Sequence, residues 1–338
     1  MKIAIIGFPG CGKSTCFKAI TQKKKEETET LDPTKPHLAA VKIQDPRLEK
    51  IKSIFNPKKL TCAEIVFEDL PGFHIPQIKE VEALMEVLGV FSGRDPIKDI
   101  EDMDVEFILA DLEIINHRLP GLEKEMKQQD SREKTLEKEA LVKCKQFLEA
   151  NRPLRDLELT GGEKRQIRGF QFLSMKPLFI VGNISESQKS DAAVKKIEDF
   201  CKGKNIRCME FCAKLEAEIA DLDESEKTAF MKELGVEETT REKVIKLAYG
   251  ALCYITFFTV KGNESKAWPV KMGTSAIEAA GRVHSDIQKG FIKAEVINFD
   301  DLASCGSMQA AKKKALLKLE GKEYKIRDGD IVDFRFSV

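Results

Sequence analysis

The 338-residue sequence lacks several features that would place it in a special class of protein. No apolar run approaches the roughly 20 residues that a membrane-spanning helix needs, and the N-terminus carries no signal-peptide cleavage pattern. The 56 Lys and Arg residues balance 56 Asp and Glu residues, so the chain as a whole has no basic charge to attract nucleic acid. We therefore expect no membrane and no DNA among its partners, although a local basic patch that contacts RNA is compatible with this composition.

The number of cysteines in the sequence is odd, so they cannot all pair within the chain. Its nine cysteines occur without an export signal, which favours reduced thiols and a cytoplasmic location. Cys201, Cys208 and Cys212 could suggest zinc, but no fourth ligand lies at a suitable spacing, so buried structural thiols are the favoured interpretation. The 42% hydrophobic and 33% charged fractions are typical of a globular protein, and the length predicts two or three domains.

The clearest motif is GFPGCGKS at residues 7–14, a full match to the phosphate-binding pattern G-x-x-x-x-G-K-[ST]. It follows an apolar β-branched run and precedes a helical pattern, which is the context that such a loop requires. Glycines let backbone N–H groups approach a triphosphate without Cβ clashes, and the N-terminus of the following helix adds positive potential. Lys13 would then hold the β- and γ-phosphates, and the Ser14 hydroxyl would bind Mg²⁺.

Two later segments carry further signals of nucleotide binding. An apolar strand ends in D-x-x-G, where Asp69 can hold the metal through water and the Gly72 N–H can sense the γ-phosphate. Another apolar strand leads to Asn183 and Glu186, at the place where switch GTPases carry N-K-x-D. Because the guanine clamp is altered, Asn183 could read the edge of adenine instead, or it could be an ordinary strand-to-helix cap.

The first 250 residues combine two kinds of hydrophobic pattern. Helical patterns between several apolar runs favour a parallel α/β sheet over residues 1–111 and 161–250. Residues 112–160 repeat apolar side chains at helical spacing on both sides of a polar break, which predicts two antiparallel helices. This helical hairpin is either one more helix pair of the main domain or an inserted arm that reaches for a partner. The runs that predict strands are residues 3–6, 65–67, 84–91, 178–181 and 209–213.

The sequence of residues 251–338 differs from the preceding region and is rich in runs that predict strands. Two apolar runs flank Gly262-Asn263, which is a hairpin-like turn signal. The pattern then predicts a helix over residues 275–287 and further strands over residues 294–299 and 331–336. The region therefore reads as a compact α+β module.

Segments along nearly the whole chain share a family pattern: residues 7–15, 45–48, 69–72, 109–113, 183–186, 212–216, 273–274, 279–281, 284–286, 289–292 and 328–330. Together they resemble the YchF-type branch of the Obg family of P-loop NTPases, which are translation factors. The resemblance implies an α/β P-loop NTPase G domain with an inserted α-helical hairpin, followed by an α+β β-grasp (TGS) domain. It also implies Mg²⁺ as cofactor, ATP or GTP as substrate, and contact with the ribosome or ribosomal RNA through the TGS domain and the hairpin.

Individual roles follow from the same resemblance. Thr30 matches the switch threonine that senses the metal, with Thr34 as the alternative, so the metal ligands would be Ser14, Thr30 and Asp69. Asn183 and Glu186 would face the base. The residues expected to contact the nucleotide are Gly7, Pro9, Gly10, Cys11, Gly12, Lys13, Ser14, Thr15, Gly72, Asn183, Glu186, Cys212, Ala213 and Lys214.

Three residues are expected to contribute to catalysis. Lys13 would stabilise charge on the transferred phosphoryl group, and Phe73 stands where the family replaces a water-positioning glutamine by an apolar residue. The family's proposed catalytic histidine lies in a loop that this chain lacks between Phe91 and Asp95. His74, which lies near the γ-phosphate by sequence, either substitutes for it or is incidental. Turnover is therefore expected to be slow, absent or dependent on a partner.

These observations favour a Mg²⁺-dependent purine-nucleotide switch that hydrolyses ATP or GTP slowly and signals to the translation machinery. The alternative is a nucleotide-gated RNA or ribosome adaptor with little or no hydrolysis. A small-molecule kinase is disfavoured, because the sequence shows no lid arginines or acceptor pocket, and neither the hairpin nor the C-terminal module would have a role.

Overall fold

The computed structural model describes residues 1–22, 35–70, 72, 75–129, 131–185, 192–223, 225–226 and 239–337. Contacts divide the chain into two compact units, Met1–Ala39 with Val66–Ala248, and Ala40–Ile65 with Tyr249–Val338. This division groups residues 40–65 with the C-terminal part of the chain, whereas the sequence analysis kept them in the first domain. The domain boundaries expected from the sequence stay a prediction.

The described residues form strands and helices with the following bounds. The strands are β1 (Lys2–Ile6), β2 (His37–Ile43), β3 (Lys59–Thr61), β4 (Ala63–Asp69), β5 (Ala83–Gly89), β6 (Leu178–Asn183), β7 (Arg207–Phe211), β8 (Tyr254–Lys261), β9 (Glu264–Lys271), β10 (Phe291–Asn298), β11 (Lys318–Glu320) and β12 (Asp330–Phe336). The helices are α1 (Lys13–Thr21), α2 (Pro46–Phe55), α3 (Ile75–Lys79), α4 (Pro96–Gln128), α5 (Arg132–Glu149), α6 (Gly161–Ile167), α7 (Ala192–Gly203), α8 (Ala213–Asp221), α9 (Thr240–Ala251), α10 (Ala276–Val283), α11 (Ser285–Lys289), α12 (Phe299–Cys305) and α13 (Met308–Lys313). Within the described ranges, no helix is both long enough and apolar enough to cross a bilayer.

One six-stranded sheet has the order β2-β4-β1-β5-β6-β7, and most of its residues belong to the first unit. β4, β1, β5, β6 and β7 pair in parallel, and each of the five predicted runs contains a strand. Two runs were predicted too long at their C-terminal ends, because β5 ends at Gly89 before a short 3-10 helix and β7 ends at Phe211 before α8. Side chains at the centre of the sheet, such as Ile3, Ile5 and Phe179, are fully buried. This double-sided burial is why these strands read as continuous apolar runs. Because these strands run parallel, their C-terminal ends lie at one edge of the sheet.

The predicted helix pair is formed by α4 and α5. α4 ends at Gln128 and α5 begins at Arg132, so the two helices are divided at the predicted polar break. Ser131 caps α5 by accepting a hydrogen bond from the Lys134 N–H. α4 is longer than the periodicity indicated, because it begins at Pro96 behind the N-cap Asp95. A cluster of buried apolar residues holds the hairpin together, among them Ile115, Leu122, Leu141 and Leu148.

The second unit contains a six-stranded mixed sheet with the order β11-β10-β12-β8-β9-β3. β8 and β12 pair in parallel at its centre, and β8 and β9 form an antiparallel hairpin across Gly262-Asn263, as predicted. Gly262 has a φ of 60°, which suits this tight turn. α10 packs Ala276, Ala279 and Ala280 on the sheet. This arrangement is the β-grasp fold that the sequence analysis expected.

The prediction of a single continuous helix over residues 275–287 is wrong. The chain forms α10 and α11 instead, with a break at His284, whose φ of −164° is extended. The His284 Nδ1 accepts a hydrogen bond from the Asp286 N–H at 3.2 Å. His284 therefore caps a new helix where the apolar periodicity alone suggested continuity.

Candidate functional site

The loop of residues 7–12 joins β1 to α1 at the C-terminal edge of the parallel sheet. Gly10 and Gly12 have φ values of 84° and 92°, in the left-handed region that favours glycine. A Cβ atom on Gly12 would lie 2.2 Å from the Asn183 Nδ2, so the position has no room for a side chain. The glycine pattern of the motif therefore reflects both backbone conformation and close packing.

The Lys13 ammonium is held over this loop by main-chain carbonyl groups. Its Nζ donates to the Gly7 carbonyl oxygen at 2.7 Å and approaches the Phe8 carbonyl oxygen at 3.4 Å. α1 begins at Lys13, so the free N–H groups of its first turn face the same region. A compact cation and several N–H donors around one concave loop are the arrangement that binds polyphosphates.

Ser14 and Asp69 bring a hydroxyl and a carboxylate together beside the loop. Asp69 ends β4, its side chain is buried, and it accepts a hydrogen bond from the Ser14 hydroxyl. Burial raises the pKa of Asp69, while the Ser14 hydrogen bond and the Lys13 and His37 charges act in the opposite direction. Hard oxygen ligands of this kind fit Mg²⁺, which is bound through few protein groups and through substrate phosphates.

A metal cage made by the protein alone is not found in the part of the chain that the structure describes. No group of three or more His, Cys, Asp or Glu side chains is arranged there to hold an ion. The sequence analysis favoured structural thiols over a zinc site at Cys201, Cys208 and Cys212, and this stays a prediction. Cys201 and Cys212 are buried, and Cys208 is partly exposed.

Asn183 connects two walls of the site through its side-chain amide. Its Nδ2 donates to the Cys11 carbonyl oxygen at 3.0 Å, and its Oδ1 accepts from the Ala213 N–H at 3.2 Å. The residue is buried at the end of β6, which places it between the phosphate loop and the segment that begins α8. Each amide atom is thus already used once by the chain itself. A contact between Asn183 and a base stays a prediction.

A cavity of about 640 Å³ opens beside the loop. This volume lies within the range of about 300–1,000 Å³ that is usual for small-molecule sites. Phe91 lines it with 46% of its surface exposed, whereas the sequence analysis placed this residue at the end of a buried strand and at the start of a shortened loop. An exposed aromatic ring in such a cavity can stack on a base. The lining residues are Gly12, Thr15, Phe91, Asn183, Ile184, Ser185 and Lys214.

The predicted site residues separate into three groups. Most of the phosphate-loop residues, Asp69 and Asn183 come together as described above, and Lys214 reaches the cavity with its side chain 77% exposed. Cys212 and Ala213 are buried, and Gly72 has a φ of 79°, in the left-handed region that favours glycine. The remaining candidates lie outside the described residues: Thr30, Thr34, Phe73, His74 and Glu186.

Arg94 and His37 are two ionisable neighbours of the site that sequence reasoning missed. The Arg94 guanidinium carbon lies 4.7 Å from the centroid of the Phe8 ring, and the Arg94 Nε donates a hydrogen bond to the Asp99 Oδ1 at 2.7 Å. His37 begins β2 and acts electrostatically on Asp69. No motif in the sequence marks either residue, because the fold alone brings them to the loop.

Two family models match the chain. MMR_HSR1, described as "50S ribosome-binding GTPase", matches residues 2–146, which include the phosphate loop. YchF-GTPase_C, described as "Protein of unknown function (DUF933)", matches residues 254–337, which include the β-grasp module. The first match thus covers part of the predicted α/β region and most of the predicted helical hairpin, and the second covers the strand-rich C-terminal module.

The chain is also similar over its whole length to individual proteins. "Ribosome-binding ATPase YchF" of Bacillus subtilis is 36% identical, over 99% of this chain and 98% of that protein. The protein of the same name from Escherichia coli O157:H7 is 33% identical, over 100% and 99%. A solved structure, that of the Schizosaccharomyces pombe YchF GTPase, matches with a TM-score of 0.83 at 24% identity, covering 99% of this chain and 97% of that one. The predicted fold class is confirmed.

Proposed function

We propose, on the premise that this chain belongs to the YchF family, that it is a ribosome-associated P-loop NTPase that binds and slowly hydrolyses ATP or GTP with Mg²⁺. One observation carries the proposal: the phosphate loop, the Lys13 ammonium and the Ser14–Asp69 pair lie together, and the loop lines a neighbouring cavity of about 640 Å³, which is large enough for a nucleoside. The relatives' name, ribosome-binding ATPase, supports both the activity and the partner.

The residues of the loop suggest how the phosphates would be handled. Lys13 would exchange its carbonyl contacts for the β- and γ-phosphates and would stabilise the charge that develops on the transferred group. Ser14 and, through water, Asp69 would hold Mg²⁺, which supplies charge neutralisation at the phosphate oxygens when bound. Catalysis would rest on positioning and electrostatics, and the missing loop after Phe91 supports slow turnover.

The base would occupy the cavity between Phe91 and the segment that follows β6. Ile184 replaces the lysine that switch GTPases carry after the asparagine. This replacement supports either a relaxed specificity for the base or a preference for adenine. Asn183 retains one amide N–H and one oxygen lone pair for a base. We propose that ATP binds as well as or better than GTP. Calorimetry with nonhydrolysable analogues of both tests this, and a strong GTP preference would contradict it.

A variant of the loop lysine tests nucleotide binding itself. Lys13→Ala should abolish binding of a nonhydrolysable triphosphate analogue, because the cation nearest the phosphates is lost. Lys18→Ala, in the last turn of the same helix, is the matched control and should bind normally. Normal binding by Lys13→Ala would overturn the proposal.

A turnover measurement distinguishes the slow NTPase from the alternative, an adaptor that does not hydrolyse the nucleotide. Single-turnover phosphate release, measured with and without purified ribosomes, should be slow but present and should depend on Lys13. A protein that cosediments with ribosomes in the triphosphate state without ever releasing phosphate would be the adaptor. We further propose that the β-grasp module and the helical hairpin make the ribosome contact, and that the protein acts in the cytoplasm.

A further inference from the structure

The segment that joins β5 to α4 lies against the phosphate loop. A Cβ atom on Gly89, the last residue of β5, would lie 2.8 Å from the Cys11 Cα, so there is no room for a side chain between the two. Gly93, with a φ of 75°, then turns the chain toward Asp95, the N-cap of α4. Arg94 stands between these two residues. The short segment therefore carries an arginine beside the loop that binds phosphates in the proposed function.

The Arg94 guanidinium lies over the ring of Phe8, the second residue of the phosphate loop. Its central carbon is 4.7 Å from the ring centroid, at a distance where a cation is attracted to an aromatic face. The carbonyl oxygen of the same Phe8 lies 3.4 Å from the Lys13 Nζ. Two cations, Lys13 and Arg94, thus contact one residue of the loop. Both can act on the same polyanion.

The packing of Phe8 shows on which side of the loop Arg94 lies. The Phe8 side chain packs against an apolar cluster that contains Leu70 and Ile78. Leu70 belongs to the D-x-x-G turn, and Ile78 belongs to α3, the helix that follows it. In the proposed function this turn senses the γ-phosphate. The contact with Phe8 therefore places Arg94 on the side of the terminal phosphate.

Asp99 holds one edge of the guanidinium and leaves the other edge accessible. The Arg94 Nε donates to the Asp99 Oδ1 at 2.7 Å, and the Nη2 lies 2.7 Å from the same oxygen. Asp99 is buried in the first turn of α4, so this anchor is fixed. Among the described residues the Arg94 Nη1 has no hydrogen-bond partner, and 48% of the side chain is exposed. A guanidinium carries five donors, so it can hold a carboxylate and a phosphate at once.

We propose that Arg94 is a catalytic residue: its guanidinium contacts the terminal phosphate of the bound triphosphate and stabilises the charge on the phosphoryl group during transfer, while Asp99 positions it. The inference rests on the proposed function and deepens it. It assigns a cation of this chain to the reaction at the place where the loop between Phe91 and Asp95 is short.

The arginine acts through its charge and exchanges no proton. Water attacks the γ-phosphorus, so one P–O bond forms while the bond to the bridging oxygen breaks. The diphosphate leaves with the bonding electron pair, and the two protons of the water stay with the released phosphate. Charge shifts onto the equatorial and leaving oxygens during this step, and a guanidinium that is already in place stabilises it.

Single-turnover phosphate release tests this role. Arg94→Ala should lower the rate constant about 100-fold or more, because a positioned donor to the developing charge is lost. Its affinity for a nonhydrolysable triphosphate analogue should change only a few-fold, which also shows that the variant is folded. Lys98→Ala, which removes an exposed cation from the first turn of the same helix, is the matched control and should keep the unmodified rate. Equal rates for the unmodified chain and Arg94→Ala would overturn the proposal.

Two further measurements separate a catalytic arginine from a structural one. Millimolar guanidinium chloride should restore part of the phosphate release of Arg94→Ala and none of that of Lys13→Ala. Arg94→Lys retains a cation for Asp99 but lacks a second edge for the phosphate, so it should stay slow. A full rate in Arg94→Lys, or no rescue by guanidinium, would mean that Arg94 acts only on the structure of the loop.

The last readout is binding, which does not depend on turnover. ADP with Mg²⁺ and aluminium fluoride mimics the phosphoryl group in transfer, whereas ADP alone lacks it. Arg94→Ala should bind the fluoride complex about 10-fold more weakly or worse and should bind ADP normally. Asp99→Ala should show the same selective loss to a smaller degree, and equal weakening of both ligands in these variants would overturn the assigned roles.

The outcomes also distinguish this proposal from the proposed function. If Arg94→Ala matches the unmodified chain in phosphate release and in binding the fluoride complex, the role of Arg94 fails and the NTPase stands. If the unmodified chain binds neither the triphosphate analogue nor ADP, the proposed function fails and the role of Arg94 fails with it.

Discussion

Arg47 and Asp328 are 281 positions apart in the chain, yet the Arg47 Nη1 lies 2.6 Å from the Asp328 Oδ2. The same guanidinium contacts Asp45 through its Nη2 at 2.8 Å, and the Asp328 Oδ1 accepts from the Thr256 N–H at 2.8 Å. Two short motifs that carry no obvious relation in the sequence, residues 45–48 and 328–330, are therefore parts of one network in the second unit. Arg47 is the group that joins them.

Removing Arg47 should destabilise the second unit. Arg47→Ala leaves the Asp45 and Asp328 carboxylates without their shared cation, and losing one partner of a partly buried, hydrogen-bonded charge pair costs about 1–3 kcal/mol. Denaturant unfolding of the full chain measures this. Lys52→Ala removes the exposed pair with Glu49 and should cost under about 0.5 kcal/mol. Equal effects of the two variants would contradict the assigned role of Arg47.

The sequence predicted those parts of the molecule whose reasons are local. The phosphate loop could be recognised because consecutive residues form one phosphate-binding motif. The division between α4 and α5 could be recognised because a polar segment interrupts the helical spacing of the apolar residues. The Arg47–Asp328 pair could not be predicted, since its partners meet only through the pairing of distant strands. Phe91 was missed for the same reason: no residue type at that position signals a base until the fold brings it beside Gly12.

Gly12→Ala should abolish nucleotide binding while leaving the protein folded. The added Cβ would collide with the Asn183 Nδ2 at 2.2 Å, and the φ of 92° strains any residue with a side chain. The collision breaks the hydrogen bond between Asn183 and Cys11 that aligns the loop with the base side. Calorimetric titration with a triphosphate analogue measures the loss. Gly121→Ala, which adds a methyl in open space on α4, should bind normally.

Asp69→Asn should weaken the dependence of triphosphate affinity on magnesium. The carboxylate lies against the Ser14 hydroxyl, and outer-shell partners of metal ligands typically contribute about 10–100-fold to metal affinity. In the unmodified chain, removal of Mg²⁺ with EDTA should weaken triphosphate binding strongly; in Asp69→Asn it should change little. Asp199→Asn, an exposed aspartate on α7, is the matched control. Full magnesium dependence in Asp69→Asn would exclude Asp69 from the metal site.

Phe91→Ala should weaken the binding of ATP and GTP by similar amounts. Stacking of a base on an aromatic ring contributes about 1–3 kcal/mol and discriminates little between bases. Because Phe91 is 46% exposed, its truncation should leave stability nearly unchanged. Phe91→Tyr should retain affinity, and Leu109→Ala, which truncates a 57% exposed side chain on α4, should have no effect. Titrations of each variant with both nucleotides decide the matter, and undiminished affinity in Phe91→Ala would mean that the base lies elsewhere.

Glu86 should make the stability of the first unit depend on pH. It lies on β5 with none of its surface exposed, and neither carboxylate oxygen has a hydrogen-bond partner among the described residues. Burial raises the pKa of Glu86 well above its ordinary value; Asp104 and Asp99 add to the rise, and Arg155 opposes it. The protonated carboxyl is therefore the form that the folded chain prefers.

The direction of the pH effect follows from this preference. Between the ordinary pKa of about 4.3 and the raised value, the folded chain holds a proton that the unfolded chain has released. The contribution of Glu86 to the free energy of unfolding is thus largest below about pH 4.3 and falls as pH rises through the raised pKa, by up to about 1.4 kcal/mol per pH unit. Glu86→Gln, which keeps the shape but cannot ionise, removes this dependence.

Denaturant unfolding of both proteins across the pH range measures the difference. Relative to Glu86→Gln, the unmodified chain should lose stability steadily as pH rises from about 4.3. Glu101→Gln, which neutralises an exposed carboxylate on α4, should follow the unmodified chain instead, because water solvates that side chain in both states. Parallel curves for the unmodified chain and Glu86→Gln would mean that the Glu86 carboxylate is stabilised in solution by a cation or by water, and Arg155 is a cation that already acts on it electrostatically.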